Sequence, residues 1–302
     1  MKIIKTVLKI LLCLIALAAV VLFVLNFAYY PRYKLFKGEY DVSAKETDGD
    51  IMIVSSNVRC FSPLDFLKKG WFYRAPLLYE TVSSLEPDIV GFQEVTPLHY
   101  RFLNRTLKGY DSVVLYRDGS LMREGCPIFF NKGRFDLIDK GGFWLSETPD
   151  EMSKGWGAAF NRVCSYAILE DRATSERLVV FNTHLDHVSE EARINGIELI
   201  LQKIGDFGGY PAVIMGDLNC REGSETYLTA TESFNDAKYM TDDTDSGATY
   251  QDFGAQLDRG NIDYFMLSKS GLSVKSYKVV RDVFDGVYPS DHFPIAIEVS
   301  LD

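Results

Sequence analysis

Five short strings hold most of the residues in this chain that are equipped for chemistry: Gln93-Glu94, Asn182-Thr183-His184, Asp217-Leu218-Asn219, Ile262-Asp263-Tyr264 and Ser290-Asp291-His292. Each lies at the end of an apolar run, where a rigid strand hands a side chain to a site. Three of the four histidines, His184, His187 and His292, fall in or beside these strings. Carboxylates, amides and imidazoles offered together suit metal-assisted attack of water on a phosphoester. Asp217 and Asn219, two apart on extended chain, point to the same side and can reach one group.

The elements that must position these strings are legible as apolar runs. Ile51-Met52-Ile53-Val54, Ile89-Val90-Gly91-Phe92, Leu178-Val179-Val180-Phe181 and Ala212-Val213-Ile214-Met215 read as buried strands. Ile295, Ile297, Val299 and Leu301 alternate as a last strand. Leu77, Leu78, Val82 and Leu85 suit one helix face, and Ile194, Ile197, Leu201 and Ile204 another. Ile128-Phe129-Phe130, Asn131-Lys132-Gly133 and Phe135-x-Leu137 read as a hairpin. Interleaved strands and helices imply an α/β or α+β sandwich with mixed sheets. Residues 241–247 read as an exposed acidic loop that lacks the full calcium-binding EF-hand pattern.

Together with Asn57, the ordered strings resemble the endonuclease/exonuclease/phosphatase superfamily over roughly residues 50–302. Phe143-Trp144-Leu145-Ser146 and the segment from Phe181 to His187 further resemble a bacterial branch of it. The resemblance implies a four-layer αββα sandwich with two face-to-face mixed sheets and a divalent ion, usually Mg2+, with Mn2+ or Ca2+ as alternatives. It implies Glu94 as the leading metal ligand, supported by Asn57 and Asp291. Catalytic roles fall to His292 paired with Asp263, to Asp217 and Asn219, and to His184 as an electrophilic stabiliser. His292 acts on the attacking water or contacts the phosphate, and which of Asp217 and His292 activates water stays open. Asn182 and Arg162 are expected at the substrate. The oxygen-rich set disfavours zinc between His184 and His187. His99 receives no role.

Hydrophobic residues make up 47% of the 302, enough for a large core. The formal charge is −10, yet the only charges up to residue 37 are basic: Lys2, Lys5, Lys9, Arg32, Lys34 and Lys37. Beyond them 26 basic residues face 42 acidic ones, a balance that does not indicate tight nucleic-acid binding. The five cysteines show no CxxC spacing, so buried free thiols are expected, with one or two disulfides as the exported alternative. Residues 10–31 carry no charge, and about 20 apolar residues span a bilayer as a helix. The expected organisation is an anchor over 1–30 that contacts lipid through 10–30, a polar stalk or entering edge over 31–50, and a catalytic domain over 51–302. A cleaved signal peptide is the alternative, but the run continues past Ala16-Leu17-Ala18-Ala19. The short tail before a long domain places that domain outside the cytoplasm, single-pass at the cell membrane. The leading function is hydrolysis of a phosphodiester or phosphomonoester: nucleic acid, phospholipid headgroup or small phosphorylated molecule. Its rival is an inactive ligand-binding module on the same fold. Specificity is expected in loops 61–74, 147–160 and 220–258.

Overall fold

The computed structural model describes residues 2–45, 47 and 49–302. Along the chain come α1 (Lys2–Phe27), α2 (Tyr30–Leu35), β1 (Ile51–Asn57), α3 (Trp71–Ser83), β2 (Ile89–Gln93), α4 (Pro97–Thr106), β3 (Tyr110–Val113), β4 (Ile128–Asn131) and β5 (Phe135–Trp144). Then follow β6 (Val163–Asp171), β7 (Arg177–His184), α5 (Glu190–Gly205), β8 (Ala212–Asp217), α6 (Glu225–Ser233), β9 (Phe234–Asp236), β10 (Thr244–Asp245), β11 (Asp263–Ser268), β12 (Leu272–Val279) and β13 (Ile295–Leu301). One mixed sheet has the order β10-β12-β13-β1-β2-β4-β3, the other β5-β6-β7-β8-β11-β9.

The strands are apolar on both faces because each sheet is covered twice. Ile53, Ile89, Val180, Val213, Met215 and Ile297 fill the space between the sheets. Their neighbours Val54, Val90 and Phe92 point outward against Trp71 and Leu78 of α3 and Phe102 of α4. On the other side Val179, Phe181 and Ile214 meet Ile197 and Ile200 of α5 and Ala230 of α6. The result is the four-layer helix–sheet–sheet–helix sandwich. At Gly91 the sheets come so close that a Cβ would lie 2.4 Å from Met215 Cε.

Two local expectations differ from the structure and a third is met in part. Residues 128–137 are not a hairpin: β4 pairs with β2 and β3, whereas β5 pairs with β6 in the opposite sheet. The Asn131 turn does form, its Oδ1 accepting from Gly133 N at 2.9 Å. Phe130 and Phe135, however, both enter the inter-sheet core, and turn chemistry alone does not choose a strand's partner. Buried Arg134 secures the crossing, reaching Asp171 at 2.7 Å and Asp88 at 3.2 Å. Residues 31–45 are fastened to the domain rather than spaced from it: Tyr33 and Val42 are buried, and Tyr40 N donates to Tyr79 Oη at 2.8 Å. Met1 and the stalk residues Glu46 and Asp48 lie outside the described residues. On α5 Ile197 is buried and Leu201 and Ile204 pack half-buried against the same core, as expected, but the buried stripe is completed by Ala192, Gly196 and Ile200 rather than Ile194.

Within residues 241–247 the Asp245 carboxylate accepts from Arg281 Nη1 at 2.7 Å. All five cysteines are free thiols. His99 is a core residue, bonded to Thr96 Oγ1 and packed 4.0 Å from the Trp71 ring, where burial and the charge of Arg74 push its imidazole down to about 3. The helical stretch Ile3–Leu35 is long and apolar enough to cross a membrane.

Arg134→Ala leaves Asp171 and Asp88 buried beside a missing cation. We expect a loss of about 3–5 kcal/mol in unfolding free energy, read from denaturant titration of the full chain in detergent.

Candidate active site

Strand register brings the strings together. β1 runs parallel to β2 with Asn57 opposite Gln93, so both strands end at one edge. β13 is antiparallel to β1 and begins at that edge, which places Asp291-His292 there. In the second sheet β7 and β8 are parallel, with His184 opposite Asp217. β11 is antiparallel to β8 and starts opposite Asp217, at Asp263. Gly216 permits the close β7–β8 approach, since a Cβ there would stand 1.9 Å from Thr183 O and its φ is +142°.

The two edges meet through Asn57. Its Nδ2 donates to Glu94 Oε1 at 3.2 Å and to Asp217 Oδ2 at 3.1 Å. Glu94 Oε2 accepts from Cys60 N at 2.7 Å. Around Asp217 Oδ2 stand His184 Nε2 at 3.5 Å and His292 Nε2 at 3.8 Å. His292 Nδ1 is held by Asp263 Oδ2 at 2.9 Å. Asn219 Nδ2 donates to Leu185 O at 3.0 Å, and its backbone N donates to Asp217 Oδ1 at 2.9 Å. Arg59, Glu94 and Asn219 all have left-handed backbones, with φ of 58°, 60° and 48°. Such strain costs about 1–3 kcal/mol per residue and persists only where surroundings enforce it. Of these, Arg59, Glu94, His184, Asp217, Asn219 and His292 line a cavity of about 610 Å3.

The Endonuclease/Exonuclease/phosphatase family model matches residues 54–292. The chain belongs to the endonuclease/exonuclease/phosphatase family. A solved family member from Bacteroides vulgatus is 32% identical with a TM-score of 0.79, covering 84% of this chain and 99% of that one. A mannosyl-6-phosphatase from Bacteroides thetaiotaomicron is 30% identical with a TM-score of 0.75, covering 83% and 100%. Human nocturnin is 25% identical over 275 residues, covering 81% of this chain and 61% of nocturnin. The chain thus spans about three fifths of the length of that curated relative. Endonuclease/exonuclease/phosphatase proteins are phosphoester hydrolases that generally use divalent metal ions.

Of the residues singled out in the sequence, Glu94, Asp217, Asn219, His184, Asp291, His292 and Arg162 line the cavity. Asn57 and Asp263 stand behind it, each bonded to a lining residue. Asn182 does not reach it. Its side chain is wholly buried between the sheets, accepting from Gln93 Nε2 at 2.7 Å and donating to Phe92 O at 2.9 Å and Pro127 O at 2.8 Å. An amide at a strand end looks the same in sequence whether it faces a cavity or the opposite sheet. Arg162 is spent on Asp186 at 3.3 Å and His187 Nδ1 at 3.0 Å, so it braces the wall. Sequence reasoning missed Arg59, the Cys60 amide, Arg117, Glu124, Phe160, Arg221, Tyr250 and Arg259, all at the cavity. Phe160, Arg221 and Tyr250 come from or border the loops flagged for specificity. Arg59 and Cys60 lie two and three residues beyond Asn57 at its strand end, which is the one signal that pointed to them.

The charges divide the work. Burial by itself would raise the Glu94 carboxyl, but the Cys60 N–H, the His292 charge and the Asn57 amide hold it below the usual carboxylate range. Burial and the neighbouring Asp263 charge push Asp217 up to about 7, against the pull of His292. His292 rises to about 10: burial opposes its charge, and Asp263, Asp217 and Asp291 overcome that. His184 is held neutral by burial and by Arg162. Asp291 is raised by burial and by Glu94, against the cations His292 and Arg59. Half-buried Glu94 and buried Asp291 repel each other and fit a hard divalent cation, while Asn57 turns its Nδ2 to Glu94 and its Oδ1 accepts from Arg59 N at 2.9 Å. Among the described residues Asp217, Asp263 and His292 also offer ligand atoms within 4.8 Å of one another. In that second set His292 Nδ1 is already committed to Asp263.

In the metal-free protein, NMR titration of ring-labelled histidine is expected to show His292 losing its proton near pH 10. Asp263→Asn removes the main source of that elevation and moves the midpoint down toward the ordinary 6.5. An unchanged midpoint in the variant would separate the pair.

Proposed function

We propose that this chain is a membrane-anchored, magnesium-dependent phosphoesterase whose catalytic domain lies outside the cytoplasm and whose substrate is a compact phosphorylated molecule. One observation carries the hydrolytic reading: a buried carboxylate, Asp217, with imidazole nitrogens at 3.5 and 3.8 Å on the floor of an open cavity. The attacking water loses its proton to Asp217 as its oxygen bonds to phosphorus, and the ester P–O bond breaks with its electron pair leaving on the ester oxygen, which takes a proton from water in the open cavity. His292, with Nδ1 held by Asp263, points Nε2 at a phosphoryl oxygen. This takes the phosphate-contacting role of the two left open in the sequence. His184 and Asn219 donate to the same group as negative charge builds. Glu94 and Asp291, braced by Asn57, would hold the ion, which would supply Lewis-acid charge at the phosphoryl oxygen.

A cavity of about 610 Å3 falls within the roughly 300–1,000 Å3 typical of small-ligand sites. Five arginines line it in a chain whose residues beyond 37 are strongly acidic, which favours a small anion over a long polyanion. The likeness to a mannosyl-6-phosphatase supports a phosphorylated sugar as the first class to assay. The uncharged residues 10–31 and the tail bearing Lys2, Lys5 and Lys9 support an anchor with its amino terminus inside.

The purified chain is expected to hydrolyse bis-p-nitrophenyl phosphate or sugar phosphates with Mg2+ and to stop with EDTA. Glu94→Gln and Asp217→Asn should each lower kcat by about 10²–10³. Near-wild-type turnover in either variant removes that residue from the reaction. Phosphate binding without turnover under any divalent ion supports the inactive binding module instead. Protease added outside intact cells should degrade the catalytic domain, and a protected domain reverses the orientation.

A further inference from the structure

Residues 61–69 run beside the end of the long apolar helix. Asn26 Nδ2 donates to Leu22 O at 2.9 Å and to Pro63 O at 3.0 Å, so α1 and this loop are bonded to each other. Aromatic contacts fix the helix on the domain: Phe27 lies 5.1 Å from Phe72, and Tyr29 lies 4.6 Å from Tyr73. The loop exposes three large apolar side chains, Leu64 at 75%, Phe66 at 41% and Leu67 at 41%. Scattered apolar residues on a surface are ordinary. Three of them on one loop, bonded to the end of a span, are not scattered.

The charge around them is equally one-sided. Exposed Lys68 and Lys69 follow directly. Lys68 and Arg32 both stand over the Tyr73 ring, at 5.9 and 5.0 Å. Exposed Arg105 of α4 adds a further cation beside the segment that follows α1, donating to Tyr33 O at 2.9 Å and Lys34 O at 3.2 Å. A cationic, apolar face on an otherwise acidic domain is complementary to an anionic bilayer surface.

We infer that residues 61–69 form a second bilayer contact, with Leu64, Phe66 and Leu67 in the headgroup region of an anionic membrane and Lys68, Lys69 and Arg105 facing lipid phosphates. The inference rests on the reading of residues 10–30 as a membrane span. It has a consequence for the cavity. Asp65, in the middle of the loop, accepts from Arg59 Nε at 2.9 Å, and Arg59 Nη1 stands 3.5 Å from Asp291 Oδ2. Lys69 lies 5.2 Å from the centroid of Phe253, three residues beyond the cavity residue Tyr250. The loop that meets lipid is therefore one rim of the catalytic cavity, and the domain lies on the membrane rather than swinging from it.

The test uses the full chain in nanodiscs of phosphatidylcholine with phosphatidylglycerol. In a C13S, C60S background an NBD probe is attached at L64C or, as a control on α6 in the opposite outer layer, at L228C. The L64C probe is expected to be blue-shifted and to lose emission when doxyl lipids are included, and the L228C probe to remain water-like. Because the substitutions can perturb folding, amide exchange in the unmodified chain gives a second readout, with residues 62–69 slower in nanodiscs than in detergent. A water-like L64C probe together with unchanged exchange overturns the loop contact. Carbonate extraction of wild-type membranes separates that failure from failure of the span. A chain that stays in the membrane while its loop remains wet has an anchor and no second contact, whereas a chain that is released has neither.

Discussion

The Asn57 side chain donates from one amide nitrogen to Glu94, across the parallel β1–β2 edge, and to Asp217, on the other sheet. Asp217 is buried and Glu94 half-buried, and the two acids would be costly to hold close without a donor between them. That shared bond fixes how the two sheets face each other at the catalytic edge. Asn182 performs a parallel task deeper in the sandwich, where its amide joins Gln93 and the Phe92 and Pro127 carbonyls. The sheets are thus joined by polar stitches within an apolar interior, and an unmet amide there would cost about 1–3 kcal/mol. Rigid stitches also explain how left-handed residues such as Glu94 and Asn219 are kept in place.

From this frame the electrostatic asymmetry follows. Burial acts on all the acids, yet the outcomes diverge because their neighbours differ. Glu94 and Asp217 each accept two hydrogen bonds, yet Glu94 stays ionised whereas Asp217 faces the Asp263 charge and rises to about 7. His292 and His184 sit on either side of the same carboxylate and take opposite charge states, one cornered by three acids and the other by burial and Arg162. One cavity thereby holds a fixed anion, a titratable carboxylate, a cation and a neutral imidazole. Opposed environments of this kind assign acid, base and stabilising roles on a single scaffold.

The strand ends were legible because catalytic residue types interrupt long apolar runs, and burial on both faces makes those runs unmistakable. What sequence cannot convey is which way a buried polar side chain turns. Asn182 and His184 are two apart on β7, but the amide turns into the sandwich while the ring enters the cavity. The supposed hairpin at residues 128–137 failed for a related reason. Its turn is real, but the packing of Phe130 and Phe135 between the sheets sends the two strands to different partners. The arginines at the rim came from loops with no periodicity, and only their closure around the cavity reveals them. The segment before residue 51 looked like a spacer because its polar residues outnumber the apolar ones that dock, Tyr33, Tyr40 and Val42.

We propose that Glu94 and Asp291, brought to one edge by β2 and β13 and braced by Asn57, hold a divalent ion. Anomalous diffraction from crystals soaked in Mn2+ tests it most directly. A peak bonded to the Glu94 carboxylate with Asp291 beside it is the predicted result. A peak only among Asp217, Asp263 and His292, or no peak within the cavity, contradicts it.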